Sequence, residues 1–361
     1  DWFRHGHHSD KTYDSVILHV VSEADTEITR SNGEQIPQLL LTCPENVQLH
    51  YHELCVADHY PACYSILASL PKLTIHSWLT ALQTERLEQK AQLITQRLKH
   101  CNSNWEDAFF ITLARNFGFG LNGDAFETWA GLLPFRAMDK HRNDLFQIEA
   151  FFYGLAGLLE ETFLKKEQED EYSLRLCKEF RYLQRKFEIG QGMDATLWRF
   201  LRLRPENFPH IRLAQLAYLY QKGDKLFSRL LEAETLADVR TLLDARTSPY
   251  WENHYLFGRL SSQKEKAMGE RSKDLIIINT VVPFLYTYGL HKADERMCER
   301  AGRFLEELKA ESNHIIRSWS DAGLPVVSAA DSQALIQLQK EYCDKRKCLY
   351  CRFGYEYLKH T

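Results

Sequence analysis

Long apolar segments and an excess of either charge are both missing from this 361-residue chain. Its longest apolar run, LIIINTVVPFLYTYGL at 275–290, is shorter than the ~20 residues that a membrane-spanning helix needs, and it contains Asn279 and Pro283. We therefore predict no membrane span here, but a buried helix that stops or kinks at Pro283. The net charge of −4 argues against broad electrostatic binding to nucleic acid or membranes, although a local basic patch is compatible with it.

A dense, even-numbered cysteine framework is also missing. The chain has nine cysteines, and six of them are scattered, at positions 43, 55, 63, 101, 177 and 298. Secreted disulfide-rich domains carry cysteines at higher density, and no signal peptide is visible. We therefore predict a reducing compartment, the cytoplasm. The first residue is not methionine, so we expect that a segment precedes it in the full protein.

The composition is that of a globular protein, with 44% hydrophobic and 26% charged residues, and the length suits about two domains. We predict an α+β fold that is predominantly α. A small N-terminal region with a β-hairpin or sheet would occupy residues 1–78 and form the C-terminal part of a larger, truncated domain. A large all-helical domain would follow at 79–361 and end in a cysteine-rich cap.

The β prediction depends on two stretches near the N-terminus. DSVILHVV (14–21) is β-branched and apolar, which predicts a strand that is buried on both faces or nearly so. In the run 25–41, Asn32 and Gly33 tolerate the positive φ angles of a tight hairpin turn, and Pro37 favours an edge position or a bulge.

The helical prediction begins near residue 80. The segment TERLEQKAQLITQRLKH places four apolar residues on one helical face, with Thr84 at its start and Asn102 after its end. The four residues are Leu87, Ala91, Ile94 and Leu98. We expect the many aromatic residues to form the core between such helices.

Three clustered cysteines near the C-terminus are the best chemical lead. In YCDKRKCLYC (342–351), Cys348 and Cys351 form a C-x-x-C pair, and Cys343 lies in the same stretch. A short C-x-x-C loop turns two thiolates toward one metal ion. The lysine and arginine residues between the cysteines are expected to lower the pKa of the thiols and so favour thiolates.

A closed zinc site needs a fourth ligand, for which His360, Cys177, Cys298 and His314 are candidates. An iron–sulfur cluster, plain reduced thiols in a small cap and a redox pair are the alternatives to zinc. The spacing alone does not choose among them.

A second candidate site lies in HGHHSDKTYDSVILHVV. His5, His7, His8 and Asp10 suit a divalent ion such as Mg²⁺ or Mn²⁺, whose bound water can attack a phosphodiester. His19 is also a candidate, although it lies within the predicted strand, where a core histidine is the commoner role. Solvent-exposed histidine-rich loops are often inert, which is the alternative interpretation of the whole cluster.

A third candidate is the basic segment RFLRLRPENFPHIR (199–212). Arg202, Arg204 and Arg212 suit phosphate binding through their planar guanidinium groups, beside the positive end of a helix that begins near Pro209. The alternative, and the commoner arrangement, is that these arginines pair with carboxylates between packed helices.

Several stretches together resemble the bacterial domain of unknown function 2851 family over nearly the whole chain. They are HGHHSDKTYDSVILHVV, NGEQIPQL, RLRPENFPHIRLAQLA, INTVVPFLYTYG and DSQALIQLQKEYCDKRKCLYC. The family has no established activity to carry over. Its members carry an upstream strand with Glu-Ile-His. That strand, a histidine-rich loop and a strand like VILHVV together resemble the PD-(D/E)xK nuclease core. The resemblance implies that His5, His7, His8 and Asp10 flank a metal centre of which this chain lacks part.

Two function hypotheses follow. The first is a metal-dependent, nuclease-like phosphodiester hydrolase acting on nucleic acid, with the arginines of the helical part contacting phosphates. The second is a non-enzymatic helical interaction or scaffold protein whose C-terminal cap is held by zinc or contains plain thiols. A basic surface beside the histidine loop would favour the first hypothesis, and arginines buried against carboxylates would favour the second.

Overall fold

Helices dominate the computed structural model, which describes residues 1–161, 163–164, 166, 169–223 and 225–359. The α-helices, in chain order, are α1 (Glu45–Val56), α2 (Tyr64–Leu67), α3 (Lys72–His100), α4 (Trp105–Phe117), α5 (Gly123–Gly131), α6 (Phe135–Asp139), α7 (Leu145–Leu155), α8 (Glu171–Lys186), α9 (Pro209–Lys222), α10 (Leu226–Glu232), α11 (Leu236–Leu242), α12 (Pro249–Glu252), α13 (Glu270–Ile276), α14 (Val282–Lys292), α15 (Glu295–Glu307), α16 (His314–Asp321), α17 (Ala329–Gln337) and α18 (Arg352–Lys359). The strands are β1 (His19–Val21), β2 (Gln38–Leu40), β3 (His254–Leu256) and β4 (Arg259–Leu260). The predicted fold class, predominantly α with a small amount of β, is confirmed.

The chain divides into two compact units. The first, which we call the cysteine unit, comprises Asp1–Pro71, Ser318–Leu324 and the C-terminal segment from Leu338. The second, the helical unit, comprises Lys72–Arg317 and Pro325–Gln337. The division therefore falls after Pro71 and not after residue 78, and the cysteine-rich C-terminus clusters with the N-terminal region instead of the helical domain. The physical reason is that α18 packs against α1 and α2, a contact that no local sequence pattern encodes.

A hairpin turn is present at Asn32–Gly33 in the cysteine unit, but of these two residues only Gly33 has a positive φ, so the predicted turn geometry is met at one position and not at both. Thr29 and Gln35 form an antiparallel bridge around it, and Gly33 has a φ of 82°, which glycine adopts without strain. This hairpin lies within the connection between β1 and β2, which pair with each other in parallel.

The predicted burial of the first strand is wrong. Ile17 is 81% exposed, and Leu18 and Val20 are exposed as well. Of the predicted strand 14–21, only His19–Val21 pairs with a neighbour, and within the described residues β2 is the single partner of β1. A two-stranded pairing of this length cannot cover both faces of a strand.

Helix α3 carries the predicted apolar face of the helical unit. All four residues of that face are buried, namely Leu87, Ala91, Ile94 and Leu98. The helix starts at Lys72, however, so Thr84 lies in its interior and its hydroxyl donates to the carbonyl of Thr80 at 3.2 Å. Asn102 follows the helix end with a φ of 51°, as expected of a residue that terminates a helix.

The core of the helical unit is aromatic, as predicted. Trp129, Trp251, Tyr153 and Phe109 are among its fully buried side chains. The antiparallel pair β3–β4 also belongs to this unit, which the prediction of an all-helical domain missed.

The apolar run 275–290 forms a buried helix that continues through its proline. Helix α13 passes into a π-helical segment, Ile277–Val281, and Pro283 then occupies the first turn of α14. Among the described residues, no helix has both the length and the apolar character that a bilayer crossing requires.

Candidate metal centre

The predicted histidines of the N-terminal cluster take part in aromatic packing. The ring centroids of His7, His19 and Tyr13 lie 5.5, 5.4 and 5.8 Å from that of Trp2. Trp2 is buried, and its Nε1 donates to the carbonyl of Thr29 at 3.0 Å. The two imidazoles therefore help to enclose an indole that anchors the first residues of the chain.

The predicted carboxylate ligand, Asp10, holds a turn. Its Oδ1 accepts hydrogen bonds from the backbone N–H and the hydroxyl of Thr12 at 2.9 and 2.7 Å, which caps the short 3-10 helix Lys11–Tyr13. These hydrogen bonds hold the pKa of Asp10 below its usual value. The carboxylate is therefore ionised and exposed, but one of its oxygens already has two donors.

The remaining imidazoles of this cluster are neighbours without forming a ligand set. The rings of His5 and His7 lie 5.8 Å apart, and the ring of His8 lies 4.9 Å from that of Phe3. Across the residues that the structure describes, no group of three or more His, Cys, Asp or Glu side chains is arranged to hold a metal ion.

Of the three predicted arginines, Arg212 is buried. Its Nη1 donates to Oε1 of Gln215 at 2.7 Å, and its Nη2 donates to Oδ1 of Asn207 at 2.6 Å. The guanidinium carbon lies 4.4 Å from the centre of the Phe119 ring, and burial lowers the pKa of Arg212 to about 10. This arginine is therefore not available to a phosphate at the surface, and its partners are amides and a ring instead of the carboxylates that the alternative predicted.

The other two arginines of this segment have exposed side chains. Arg202 has a φ of 65°, and Arg204 immediately precedes a 3-10 turn, Pro205–Asn207. Helix α9 begins at Pro209, as predicted. Arg202 and Arg204 therefore remain candidates for phosphate contacts. Arg212 instead stabilises the segment through its buried hydrogen bonds to Asn207 and Gln215.

Four cysteines line a cavity of about 50 Å³ in the cysteine unit. They are the predicted Cys343, Cys348 and Cys351, joined by Cys63. Cys63 and Cys351 are each 7% exposed, and the other two are half-buried. Cys63 and Cys351 directly precede α2 and α18, and Cys343 ends the π-helical segment Leu338–Cys343. We call this feature the thiol-lined cavity.

The rest of the lining is mostly apolar. Leu54, Ala57, Ala62 and Trp319 contribute hydrocarbon and aromatic surface, and Arg346 contributes a guanidinium group. The Nη1 of Arg346 donates to the backbone carbonyl of Cys55, which fixes the direction of this side chain.

Because Gly354 has no side chain, the backbone of α18 can lie close to the loop that carries Cys348. A Cβ atom at Gly354 would lie 2.2 Å from the carbonyl oxygen of Cys348, a distance that no side chain tolerates. The loop is also tied to α18 by the N–H of Tyr355, which donates to the carbonyl of Cys351 at 2.8 Å. Glycine at this position is therefore a condition for the shape of the cavity.

Three of these thiols, those of Cys63, Cys343 and Cys348, have raised pKa values, contrary to the prediction. Burial, followed by the charges of Cys351 and Cys348, raises the pKa of Cys63 to about 12, and burial also raises that of Cys343. Arg346 lowers the pKa of Cys348, but burial outweighs it. Protonated thiols are weak nucleophiles, so these values do not favour the redox-pair alternative.

The family to which the chain belongs is shown by its first 314 residues. Residues 1–314 match the model of the family described as "Protein of unknown function (DUF2851)". The chain belongs to the DUF2851 family. No match was found among curated proteins or among solved structures. The matched range ends before Cys343, so membership of the DUF2851 family carries no information about the C-terminal thiols.

Sequence reasoning missed Cys63 in this DUF2851 protein. It proposed Cys177, Cys298, His314 or His360 as the fourth ligand. The first three belong to the helical unit, where the two sulfurs contact backbone carbonyl groups, and His360 lies outside the described residues. Cys63 stands in the proline-containing stretch YPACYS, whose composition predicts a turn but gives no sign of the distant cysteines beside it.

A buried carboxyl group in the helical unit was also missed. Glu149 of α7 is 0% exposed, and the hydroxyl of Tyr172 donates to its Oε2. Burial raises the pKa of Glu149 to about 7, although hydrogen bonds from Tyr172, Ser248 and Trp251 oppose the rise. The signal was present in the sequence, because this glutamate interrupts the otherwise apolar IEAFFYGLAGLL.

Proposed function

We propose that this DUF2851 protein is a non-enzymatic interaction protein whose cysteine unit is stabilised by a metal bound at the thiol-lined cavity. The observation that carries the proposal is that four cysteines from two distant parts of the chain line one cavity. Cysteine thiolates are preferred ligands of zinc and of iron–sulfur clusters, and a site of four of them is coordinatively closed, as structural sites are.

The physical role of such a metal follows from the connectivity of the cysteine unit. Cys63 lies in the N-terminal part, and the other three thiols lie in the C-terminal segment. A metal bound to all of them would close a long loop, which removes conformational entropy from the unfolded chain. It would also hold α18 against α1 and α2, where the hydroxyl of Tyr357 donates to Oε2 of Glu53 at 2.9 Å.

Side chains with structural contacts support a non-enzymatic role. His7 and His19 pack on Trp2, Asp10 caps a turn, and Arg212 is buried among amides. Each of these residues was a candidate for catalysis or phosphate binding, and each has a packing or capping role that accounts for its position.

Metal analysis and thermal unfolding test this proposal. We expect at least one equivalent of a thiophilic metal in purified protein, and a lower unfolding temperature after its removal by a chelator, because metal binding to the native state adds to its stability. Metal well below one equivalent, or an unfolding temperature that the chelator leaves unchanged, contradicts it.

A second candidate function is a metal-dependent nuclease. The observation that favours it is the closeness of His5 and His7, whose rings are 5.8 Å apart. Asp10 follows nearby in the chain, and hydrogen bonds from Thr12, with a smaller effect of the charge of His7, lower its pKa and keep it ionised. Mg²⁺ or Mn²⁺ at these groups would polarise a phosphate and activate a water molecule, and the exposed Arg202 and Arg204 would contact nucleic acid.

A cleavage assay separates the two functions. If the protein is a nuclease, single- or double-stranded DNA or RNA is cut in the presence of Mg²⁺ or Mn²⁺, and His7→Ala abolishes the cutting. His59→Ala is the matched control, since His59 is an exposed histidine of the same unit. An absence of metal-dependent cleavage, or equal cleavage by both variants, removes the nuclease hypothesis. Thermal unfolding of His7→Ala shows whether the packing on Trp2 survives.

A further inference from the structure

We propose that a groove of the helical unit binds a small organic phosphate, with the phosphate at Arg97 and Arg115 and an apolar or aromatic part on the aliphatic wall. The groove lies between α3, α4, α5 and the π-helical segment Ile277–Val281. Its volume is about 720 Å³, within the range of roughly 300–1,000 Å³ that is usual for ligand sites. We call it the basic groove. It belongs to the helical unit, so this proposal goes beyond the metal-binding role of the cysteine unit.

Two arginines from neighbouring helices meet at one carboxylate in the basic groove. The Nη2 of Arg97 and the Nη1 of Arg115 both donate to Glu127. The Nη1 of Arg97 also donates to the hydroxyl of Thr112 at 2.8 Å. Because Glu127 accepts from both side chains, it holds the two guanidinium groups beside each other before any ligand binds. A ligand then meets positioned donors, which lowers the entropic cost of its binding.

The two guanidinium groups keep donors that the protein does not use. The Nη1 of Arg115 donates to Glu127 and, at 2.6 Å, to Oδ1 of Asp124, but no described residue accepts from its Nη2 or Nε. The Nε of Arg97 likewise has no acceptor in the described part of the chain. The Arg115 side chain is 41% exposed, so its remaining donors can reach a ligand. The planar fork of guanidinium N–H groups matches the oxygens of a phosphate.

The charges of the lining favour a phosphate over a group with a single charge. Lys90, Arg97 and Arg115 line the groove, and Glu127 is the one carboxylate of the lining among the described residues. Asp124 contacts Arg115 from outside the lining and is 93% exposed, so water and salt screen its charge. A phosphate monoester carries about −1.5 to −2 charge at neutral pH, whereas a carboxylate carries one negative charge.

Helix α3 contributes both positive and apolar lining. Lys90, Ile94 and Arg97 follow one another at spacings of four and three residues, which places them on one face of the helix. Lys90 and Arg97 are about 10 Å apart along the helix axis, with Leu93 and Ile94 between them. Leu93 is 60% exposed although it is aliphatic. A ligand whose phosphate contacts Arg97 can therefore rest its apolar part on Leu93 and Ile94.

The wall opposite α3 combines hydrocarbon with amide groups. Ile111 and Pro283 provide the hydrocarbon, and Asn116 and Asn279 provide the amides. The Oδ1 of Asn279 accepts from Nζ of Lys90 at 3.1 Å, and its backbone carbonyl accepts from Nδ2 of Asn116 at 3.0 Å. Asn279 belongs to the π-helical segment, and such segments occur frequently at functional sites.

Calorimetric titration of the whole chain tests the proposal. Adenosine 5′-monophosphate is the probe, because it joins a phosphate monoester to an aromatic base, and adenosine is the matched compound without the phosphate. We expect saturable binding of the monophosphate and at least about tenfold weaker binding of adenosine, since the contacts to the charged group are lost. Inorganic phosphate tests the phosphate position by itself, and we expect it to compete with the nucleotide.

Two variants locate the binding site. Arg115→Gln removes a charge and its free donors, and should weaken nucleotide binding by about tenfold or more. Gly131→Leu fills the groove without altering a charge, because Gly131 lines it and nothing lies within 4 Å of a Cβ at this position. It should also weaken binding. The matched controls are Arg296→Gln, at an exposed arginine, and Gly302→Leu, at a glycine whose Cβ position is equally open. Both lie outside the lining and should bind like the wild type.

Four results would overturn the proposal. The first is adenosine binding as tightly as its monophosphate. The second is no saturable response to either the monophosphate or inorganic phosphate up to about 10 mM. The third is unchanged binding in both Arg115→Gln and Gly131→Leu, which would place the ligand elsewhere. The fourth is binding of a single-stranded oligonucleotide that the monophosphate does not displace, which would assign the groove to nucleic acid. The first, second and fourth results come from the wild-type chain, so a misfolded variant cannot obscure them.

The metal content of the protein is independent of these results. Failure of the phosphate proposal leaves the metal-stabilised interaction protein standing, and a protein without metal can still bind the nucleotide in the basic groove.

Discussion

At the scale of single residues, the helical unit contains a carboxyl group in an environment that opposes its ionisation. Glu149 is fully buried, and Oε2 of its carboxyl group accepts a hydrogen bond from the hydroxyl of Tyr172. Desolvation is the largest contribution to its raised pKa and exceeds the effect of the hydrogen bonds. Ionisation of the Glu149 carboxyl group therefore lowers the stability of the folded protein.

This carboxyl group predicts how stability depends on pH. The pKa of Glu149 is about 7 in the folded chain and near the usual 4.5 in the unfolded chain, so the native state binds more protons between these values. The contribution of Glu149 is fully present below about 4.5 and is lost as pH rises through about 7, a loss of about 3 kcal/mol.

Urea unfolding across this pH range measures the effect. Glu149→Gln should flatten the decrease in the free energy of unfolding, because an amide does not titrate. Glu160→Gln, which alters an exposed glutamate, should keep the wild-type slope. Equal slopes in the two variants would mean that Glu149 does not carry the pH dependence.

A second residue-scale prediction concerns the glycine beside the cavity. Gly354→Ala places a Cβ against the Cys348 carbonyl, so we expect a loss of roughly 1–3 kcal/mol in stability and reduced metal content. Gly302→Ala is the control, since nothing lies within 4 Å of its Cβ position in α15, and it should be neutral or stabilising by up to about 1 kcal/mol. Similar unfolding temperatures for the two variants would refute the close-approach argument.

At the scale of elements, a capping side chain affects where α17 starts, and a π-helical segment allows the helix that contains Pro283 to continue. Asp331 is of the residue type that caps helix N-termini, but α17 begins two residues earlier, at Ala329. The side chain of Asp331 instead accepts from the N–H groups of Val327 and Ser328 at 3.0 Å each. Asp331 thus acts from inside the first turn, a shift of the kind that sequence reasoning cannot resolve.

The π-helical segment explains why the apolar run does not stop at its proline. Within Ile277–Val281 the regular hydrogen bonding is displaced, and the Nδ2 of Asn116 donates to the carbonyl of Asn279 at 3.0 Å. The Nδ2 of Asn279 in turn donates to the carbonyl of Leu275 at 3.0 Å. Side chains thus satisfy backbone groups in the turn before Pro283, and α14 can follow without a break.

The element-scale prediction is a capping energy for α4. Asn104 accepts from the N–H groups of Glu106 and Asp107 at 3.0 and 3.3 Å, so Asn104→Ala should cost about 1 kcal/mol in the free energy of unfolding. Asn143→Ala, at an exposed asparagine that precedes the cap of α7, should cost less than about 0.5 kcal/mol. Denaturant unfolding compares the two, and an equal cost would exclude the cap as the reason.

At the scale of the whole molecule, the two units have cores of different kinds. The helical unit contains a large aromatic and aliphatic core that includes Trp129, Phe152 and Trp251. The cysteine unit has fewer buried apolar side chains: Trp2, Ile28 and Ile36 form one small cluster, and Leu67 and Phe353 are among those buried in the rest of the unit. A unit with a small core depends more on a metal for its stability.

If the proposed metal binds in the cysteine unit, this difference predicts a local response to its removal. After chelation, amide hydrogen exchange should become faster in Asp1–Pro71 and in the segment from Leu338, because that unit loses its cross-link. Exchange in α4, α7 and α9 of the helical unit should change little. A uniform increase across both units, or no increase in the cysteine unit, would contradict a metal with a structural role there.

The sequence by itself determined those features that depend on local patterns of residues. The spacing of Leu87, Ala91, Ile94 and Leu98 predicted the buried face of α3, and Asn32–Gly33 predicted the hairpin turn. These features depend on residues within a few positions of one another, where helical periodicity and backbone sterics act directly.

Only the tertiary structure decided which distant segments meet. It brought Cys63 to the C-terminal thiols, buried Arg212 among amides, and left Ile17 exposed beside a two-stranded sheet. The physical reason is that such meetings result from many weak packing contacts summed over the whole chain, so no short stretch carries enough free energy to encode them.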